Sequence, residues 1–359
     1  MNFYQSDSTL SPNSRSVYLD ALRGIAILLM ITGHAFVFLA RNEPNIINDF
    51  VITWHMPLFA AISGFVSFRE TISMESARTK VKKRLTQQIL PTIVLCTIWT
   101  STLSPASWQD TIDSMYKGGY WYTFVALELY LIYLAILLII RYSTKTRKIQ
   151  SIIFILIIIG TPLCEKLLFI LGISPSCRWL VPNLFKLLPF FFLGCLLKAN
   201  ERFLNQLLAH KPCVITAGSI FVIGCAIVLH TELYAHSSVF VRFLSTLFPI
   251  LAFLLLFLSF GKKFENHNVT IILSRYGKDS LEIYLLHFFV LASLSYLIGL
   301  DFLTNFCPDI ITYLILFMIS IPIASICLYI SKLLMQFGIY RYIFFTEKPT
   351  PTIARPITK

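Results

Sequence analysis

Charged residues make up only 13% of this 359-residue chain, about half of the roughly 25% usual in soluble domains. Acidic side chains are the rarer kind, 18 against 30 lysines and arginines, which leaves a formal net charge of +12. Such an excess suits nucleic acid when it forms a continuous basic face with interleaved aromatics. Here it is divided among short connections between apolar runs, so no nucleic-acid partner is expected. The eight cysteines contain no C-x-x-C pair, and the histidines lack close ligand spacing, which argues against zinc, redox and other metal sites. Most cysteines read as small apolar packing residues, with a Cys177–Cys307 bridge left open. A cleavable signal peptide is not expected: the first sixteen residues are polar and no small-residue cleavage site follows.

What the chain has instead is hydrophobic length. Hydrophobic residues reach 56% and the mean hydropathy is +0.73. Ten apolar stretches recur, at about 17–39, 46–68, 85–103, 120–140, 150–171, 183–198, 213–230, 238–260, 280–300 and 310–335. An α-helix needs roughly 20 apolar residues to cross a bilayer. Several stretches are short or contain proline, as at Pro91, Pro162, Pro189 and Pro249, which membrane helices tolerate where neighbours satisfy the freed backbone. The expected fold class is therefore all-α, a polytopic transmembrane helical bundle of about ten spans. Lysines and arginines concentrate in alternate connections, between spans two and three, four and five, six and seven, and eight and nine, and in the C-terminal tail. The positive-inside rule then places both termini in the cytoplasm. Residues 1–16 and 337–359 are expected to be cytoplasmic tails and 17–336 one transmembrane domain, with no appended soluble domain.

The first span, Val17 to Leu39, carries Asp20, Arg23 and His34, although a charge at the centre of a span costs at least about 2.5–3.5 kcal/mol. Eleven steps of about 100° bring Arg23 and His34 to one helix face, about 16 Å apart along the axis. Asp20, three residues before Arg23, is placed to pair with it. The expected orientation puts Arg23 near the cytoplasm, with His34, His55 and Glu128 in the outer half. Arg242 then lies close to the outer surface and His287 in the inner half. Ionisable groups at several depths suit a channel, a transporter or an enzyme with substrates on opposite sides.

The segment Tyr18 to Ala26, YLDALRGIA, followed by Gly33-His34, resembles the opening of the membrane acyltransferase-3 family of bacterial O-acyltransferases. The family's spacing of arginine, ten residues and histidine is met at Arg23 and His34. His55-Met56-Pro57-Leu58-Phe59 with Ser63-Gly64-Phe65 resembles its second block, Tyr276 to His287 its late block, and Trp121-Tyr122 a weaker aromatic one. The family often has an R-x-x-R pair before a proline, whereas Arg84-Leu85-Thr86-Gln87 keeps only the first arginine. The resemblance implies transfer of an acyl group, usually acetyl, from cytoplasmic acetyl-CoA or another acyl-CoA to a hydroxyl of an envelope glycan. O-antigen, exopolysaccharide and lipid-linked sugars are acceptors of that kind, and the bacterial inner membrane is the implied location. Acyl-CoA, the glycan and the bilayer are the implied partners; no permanently bound cofactor is expected, and self-association is left open.

Such a transfer needs a base for the sugar hydroxyl, and a positioned histidine serves near neutral pH. His34 is the expected base or, alternatively, the nucleophile that accepts the acyl group first. Arg23 offers a fork of donors for phosphate or an oxyanion, with Asp20 orienting it. His55 and Glu128 are expected to complete a cluster with His34, Glu128 fixing a ring tautomer. Arg84, Lys83 and Lys82 are the expected contacts to the CoA phosphates; Arg242, Tyr284, His287 and Trp121 are the expected substrate-binding residues. Two non-enzymatic readings stand beside this one: a transporter of acyl groups or glycans, and a scaffold for envelope assembly.

Overall fold

The computed structural model describes residues 16–40, 46–102, 119–140, 146–170, 181–229, 239–261, 263–297 and 309–344, and their regular structure is entirely helical. The Cys177–Cys307 bridge and both tails, apart from Ser16 and residues 337–344, lie outside the described residues. In chain order the helices are α1 (Val17–Leu39), α2 (Ile46–Ser67), α3 (Met74–Arg84), a π-helical turn (Leu85–Ile89), α4 (Leu90–Thr102) and α5 (Trp121–Ile140). They continue as α6 (Thr146–Ile170), α7 (Val181–Ala199), α8 (Glu201–Leu208), α9 (Lys211–Leu229) and α10 (Val239–Gly261). The last are α11 (Asn268–Lys278), α12 (Ser280–Leu297), α13 (Asp309–Gln336) and α14 (Tyr340–Phe344). Within the described residues, each expected apolar stretch is helical.

Among the described residues, six segments are long and apolar enough to cross a membrane: Val17–Leu39, Trp121–Ile140, Arg147–Cys164, Val241–Gly261, Ser280–Leu297 and Ile310–Gln336. Glu201–Leu208 with Cys213–Ile223, bent by 98°, would be a seventh. This is a multi-pass membrane protein. Two of the basic connections, between spans two and three and between spans eight and nine, each contain a short helix, α3 and α11.

Two backbone crossings set the arrangement. A side chain at Gly24 of α1 would overlap the Leu273 carbonyl of α11, and one at Gly277 would overlap the Asp20 carbonyl in return. Gly64 of α2 and Gly194 of α7 face each other likewise, against the carbonyls of Phe191 and Ala61. Apolar lipid leaves little hydrophobic drive between membrane helices, so close contact of small residues supplies the attraction. The Cys195 thiol donates to the Gly64 carbonyl at 3.3 Å across the second crossing. Cys96, Cys195 and Cys327 are buried and unbridged.

Around these crossings lie two cores. One joins α2, α5, α6, α7 and α10 through rings such as Tyr133, Phe154, Phe191 and Phe192. The other joins α1, α12, α13 and α14 around Ile31, Phe36, Leu285 and Tyr340. The connections at one end, here the basic end, are tied together. Tyr133 Oη lies 2.6 Å from the Arg69 amide, Gln150 Nε2 donates to the Glu70 carbonyl at 2.7 Å, and the Val17 amide donates to Glu265 at 3.2 Å. Arg147 also pairs with Glu70. The basic connections are therefore a packed cap as well as a charge pattern.

Candidate active site

α1 is one unbroken helix from Val17 to Leu39, so Arg23 and His34 share a face at about the 16 Å that helical rise dictates. At the buried end of this face, the His34 ring is partly accessible and has no hydrogen-bond partner among the described residues. His287 of α12 packs on it with ring centroids 5.1 Å apart, and Phe288 edges it at 4.9 Å. His55 of α2 lies within electrostatic range.

The tautomers of the two supporting histidines follow from their partners. His287 Nδ1 lies 2.7 Å from the Tyr284 carbonyl, and His55 Nδ1 lies 2.6 Å from the Val51 carbonyl. A carbonyl only accepts, so each Nδ1 carries the hydrogen and each Nε2 presents a lone pair. His287 Nε2 is buried and has no hydrogen-bond partner among the described residues. An unsatisfied buried acceptor costs about 1–3 kcal/mol, which fits a group kept for a proton. His34 therefore sits beside a second imidazole whose tautomer is fixed.

Hydroxyls around the pair are committed to structure. Tyr284 Oη donates to the Gly119 carbonyl at 2.6 Å, and Tyr120 Oη donates to the Leu285 carbonyl at 3.1 Å, locking α12 against the start of α5. From His287, ring contacts run through Tyr284 at 6.0 Å to Tyr122 at 6.3 Å. Tyr122 lies within electrostatic range of Arg84 and Arg23. An aromatic wall thus links the histidines to the basic end.

There, Arg23 pairs with Asp20 at 3.1 Å. The Arg84 guanidinium lies 4.0 Å over the Tyr130 ring and donates to Ser67 Oγ at 3.2 Å. It stands where α3 passes into the π-helical turn, a feature frequent at functional sites. Lys80, one helical turn before Arg84, is lowered in pKa by burial and then by the neighbouring Arg69 and Arg84 charges. Arg69 is held by the Phe68 carbonyl at 2.6 Å. Arg23, Arg69, Lys80 and Arg84 therefore form a linked cationic group, with Asp20 offsetting one member.

A cavity of about 450 Å³ opens at the other end of the bundle, where α2, α5, α7 and α10 begin. Trp121 and Arg242 are both on its wall, together with Asn183 and Lys186 of α7 and Thr246 of α10.

Residues 16–329 match a family described as an acyltransferase domain. The chain belongs to the acyltransferase-3 family. It is 25% identical over 242 residues to the nodulation protein NolL of Sinorhizobium fredii, covering 63% of this chain and 61% of that protein. It is also 32% identical over 127 residues to the nodulation protein NolL of Mesorhizobium japonicum, covering 32% of this chain and 34% of that one. The chain therefore spans less than two thirds of either relative's length in these matches. No solved structure matches it.

The structure places several expected residues as follows. Glu128 makes no hydrogen bond to a histidine, and its Oε2 is buried without a partner; backbone carbonyls fix the ring tautomers instead. His287 is not a level below His34, because the rings touch. The Gly277–Asp20 crossing brings the two segments together ten residues before His287 and fourteen before His34. Lys82 and Lys83 are exposed, whereas Lys80 and Arg69 accompany Arg84. Of the four expected substrate-binding residues, Trp121 and Arg242 share the cavity; Tyr284 and His287 belong to the histidine group. The i, i+4 spacing of Lys80 and Arg84 could have singled out that pair, as could the charge of Lys186 inside an apolar stretch.

Proposed function

We propose that the protein is an integral-membrane O-acyltransferase. It moves an acyl group, most simply acetyl, from cytoplasmic acyl-CoA to a hydroxyl of an envelope glycan. The observation that carries this reading is the unbonded His34 ring packed against the ring of His287, on the helix face whose other end holds Arg23.

The basic end faces the cytoplasm in this reading, and the chain resides in the bacterial inner membrane. The CoA phosphates contact Arg84, Lys80, Arg69 and Arg23, with the exposed Lys82 and Lys83 adding long-range attraction. The pantetheine arm then runs beside the Tyr122–Tyr284 wall and brings the thioester to His34. In direct transfer, His34 removes the proton of the acceptor hydroxyl while its oxygen attacks the thioester carbonyl. The C–S bond breaks, the thiolate takes a proton from the imidazolium, and ester and free CoA leave. In the two-step alternative, His34 attacks the thioester carbonyl, the C–S bond breaks and the CoA thiolate leaves with the imidazole proton; the hydroxyl then displaces the imidazole from the acyl-imidazole and gives its proton to it. His287 Nε2 can hold the proton on either route. The NolL relatives support membership of the family, and the choice of glycan as acceptor follows the family's resemblance.

The test is mass spectrometry of surface glycans from a deletion strain complemented with wild type, His34→Ala or Arg23→Ala, with membrane levels of each checked. An acyl-sized mass should disappear on deletion and return with wild type alone. Full restoration by His34→Ala would remove the catalytic assignment.

A further inference from the structure

The cavity beside Trp121 contains two cations taken from different helices, Lys186 of α7 and Arg242 of α10. Neither has an ion pair with a described residue. Each lies near the start of a mostly apolar helix, where a charge is expensive unless its head reaches water or a counter-charge. The surrounding wall combines apolar faces, Met56, Pro57, Phe190 and Phe243, with the Trp121 ring. Ile52 on the same wall is 48% exposed, so the cavity borders the lipid-facing surface of α2. A small inorganic anion would leave that apolar lining unused, and a neutral glycan would leave both cations unmatched.

We propose that this cavity is an anion-anchored acceptor subsite: Arg242 and Lys186 clamp the acidic group of an amphiphilic glycoconjugate whose apolar stem lies along α2 and whose sugar stacks on Trp121. An arginine can grip phosphate or carboxylate with two parallel hydrogen bonds, and a lysine adds a point charge. His34 is not on the cavity wall. Met56 and Trp121 are, and they adjoin in sequence His55 and Tyr122 of the histidine and tyrosine group. The subsite therefore fixes the acidic end of the acceptor at one remove from the hydroxyl that reacts. It rests on the acyltransferase reading only for its role as an acceptor site.

The test uses the full chain in nanodiscs of zwitterionic lipid, with octyl phosphate, octyl glucuronide and octyl glucoside as probes followed by native mass spectrometry. Both anionic probes should bind at least about tenfold more tightly than the glucoside. Arg242→Gln and Lys186→Gln should each lose about tenfold for the anionic probes alone, while Arg242→Lys and Lys186→Arg retain most binding. A tighter phosphate identifies a phosphate-linked acceptor, and a tighter glucuronide identifies an acidic sugar. Equal binding of the glucoside, or wild-type anion binding by both glutamine variants, would overturn the subsite. If a glutamine variant unfolds, the charge-keeping variants decide: loss of anion binding in folded Arg242→Lys and Lys186→Arg proteins counts against it. His34→Gln separates the two readings. It should keep the probes and lose acyl transfer; retained transfer would sink the catalytic assignment while leaving the anion subsite standing.

Discussion

The crossing of α1 and α11 offers the sharpest perturbation, because it ties the placement of His287 to that of Asp20, Arg23 and His34. In Gly277→Ala the new Cβ overlaps the Asp20 carbonyl and presses on the Gly24 amide. Both obstacles are backbone, so no rotamer change relieves them. The helices must part by more than about 1 Å to restore ordinary contact spacing. Overpacking of this kind costs about 1–3 kcal/mol, and the higher helix propensity of alanine returns up to about 1 kcal/mol. The net loss of stability should thus be small, about 0–2 kcal/mol. Activity should suffer more, since a shift of about 1 Å at reacting groups can cost about 100-fold. Gly160→Ala is the control, because its Cβ meets nothing within 4 Å. Thermal unfolding in detergent and acyl transfer from labelled acyl-CoA in membranes would measure both quantities. A Gly277→Ala protein with the stability and rate of Gly160→Ala would refute the idea that backbone contact sets the site.

Three further outcomes follow from the same geometry. Arg84→Lys should raise the KM for acyl-CoA with little change in kcat, because lysine keeps the charge but loses the planar stack on Tyr130 and the bond to Ser67; an unchanged KM would show that charge alone suffices. Lys80→Met should raise the stability of the donor-free protein and weaken its stabilisation by CoA. The sign follows from the lowered Lys80 pKa: folding disfavours the protonated form, so the penalty is present below the folded pKa and fades as pH rises through it. The mutant's advantage in a thermal-shift assay should accordingly shrink at alkaline pH. Tyr340→Phe removes the donor that meets buried Glu282 at 2.6 Å, and should cost about 1–3 kcal/mol; an unaltered melting curve would mean that α14 is not anchored by this bond.

The parts of the site legible in sequence were those carried by local periodicity. Arg23 and His34 share a face because an unbroken helix fixes the angle between them, and Asp20 reaches Arg23 for the same reason. The sequence did not show which expected residues become neighbours. Glu128 looked level with His34 by counting depth, but depth says nothing about azimuth around a bundle. Lys82 and Lys83 were chosen for adjacency to Arg84, whereas side chains on a helix meet at four residues' spacing, which favours Lys80.

By itself, then, the sequence determined a helical membrane protein, its apolar stretches and the polar face of α1, because hydropathy and helical rise act within one segment. Tertiary structure alone decided that His287 lies against His34 and that Lys186 joins Arg242. The first outcome depends on glycines that let helix backbones touch. A missing side chain leaves no mark in hydropathy that says which other helix will fill its place.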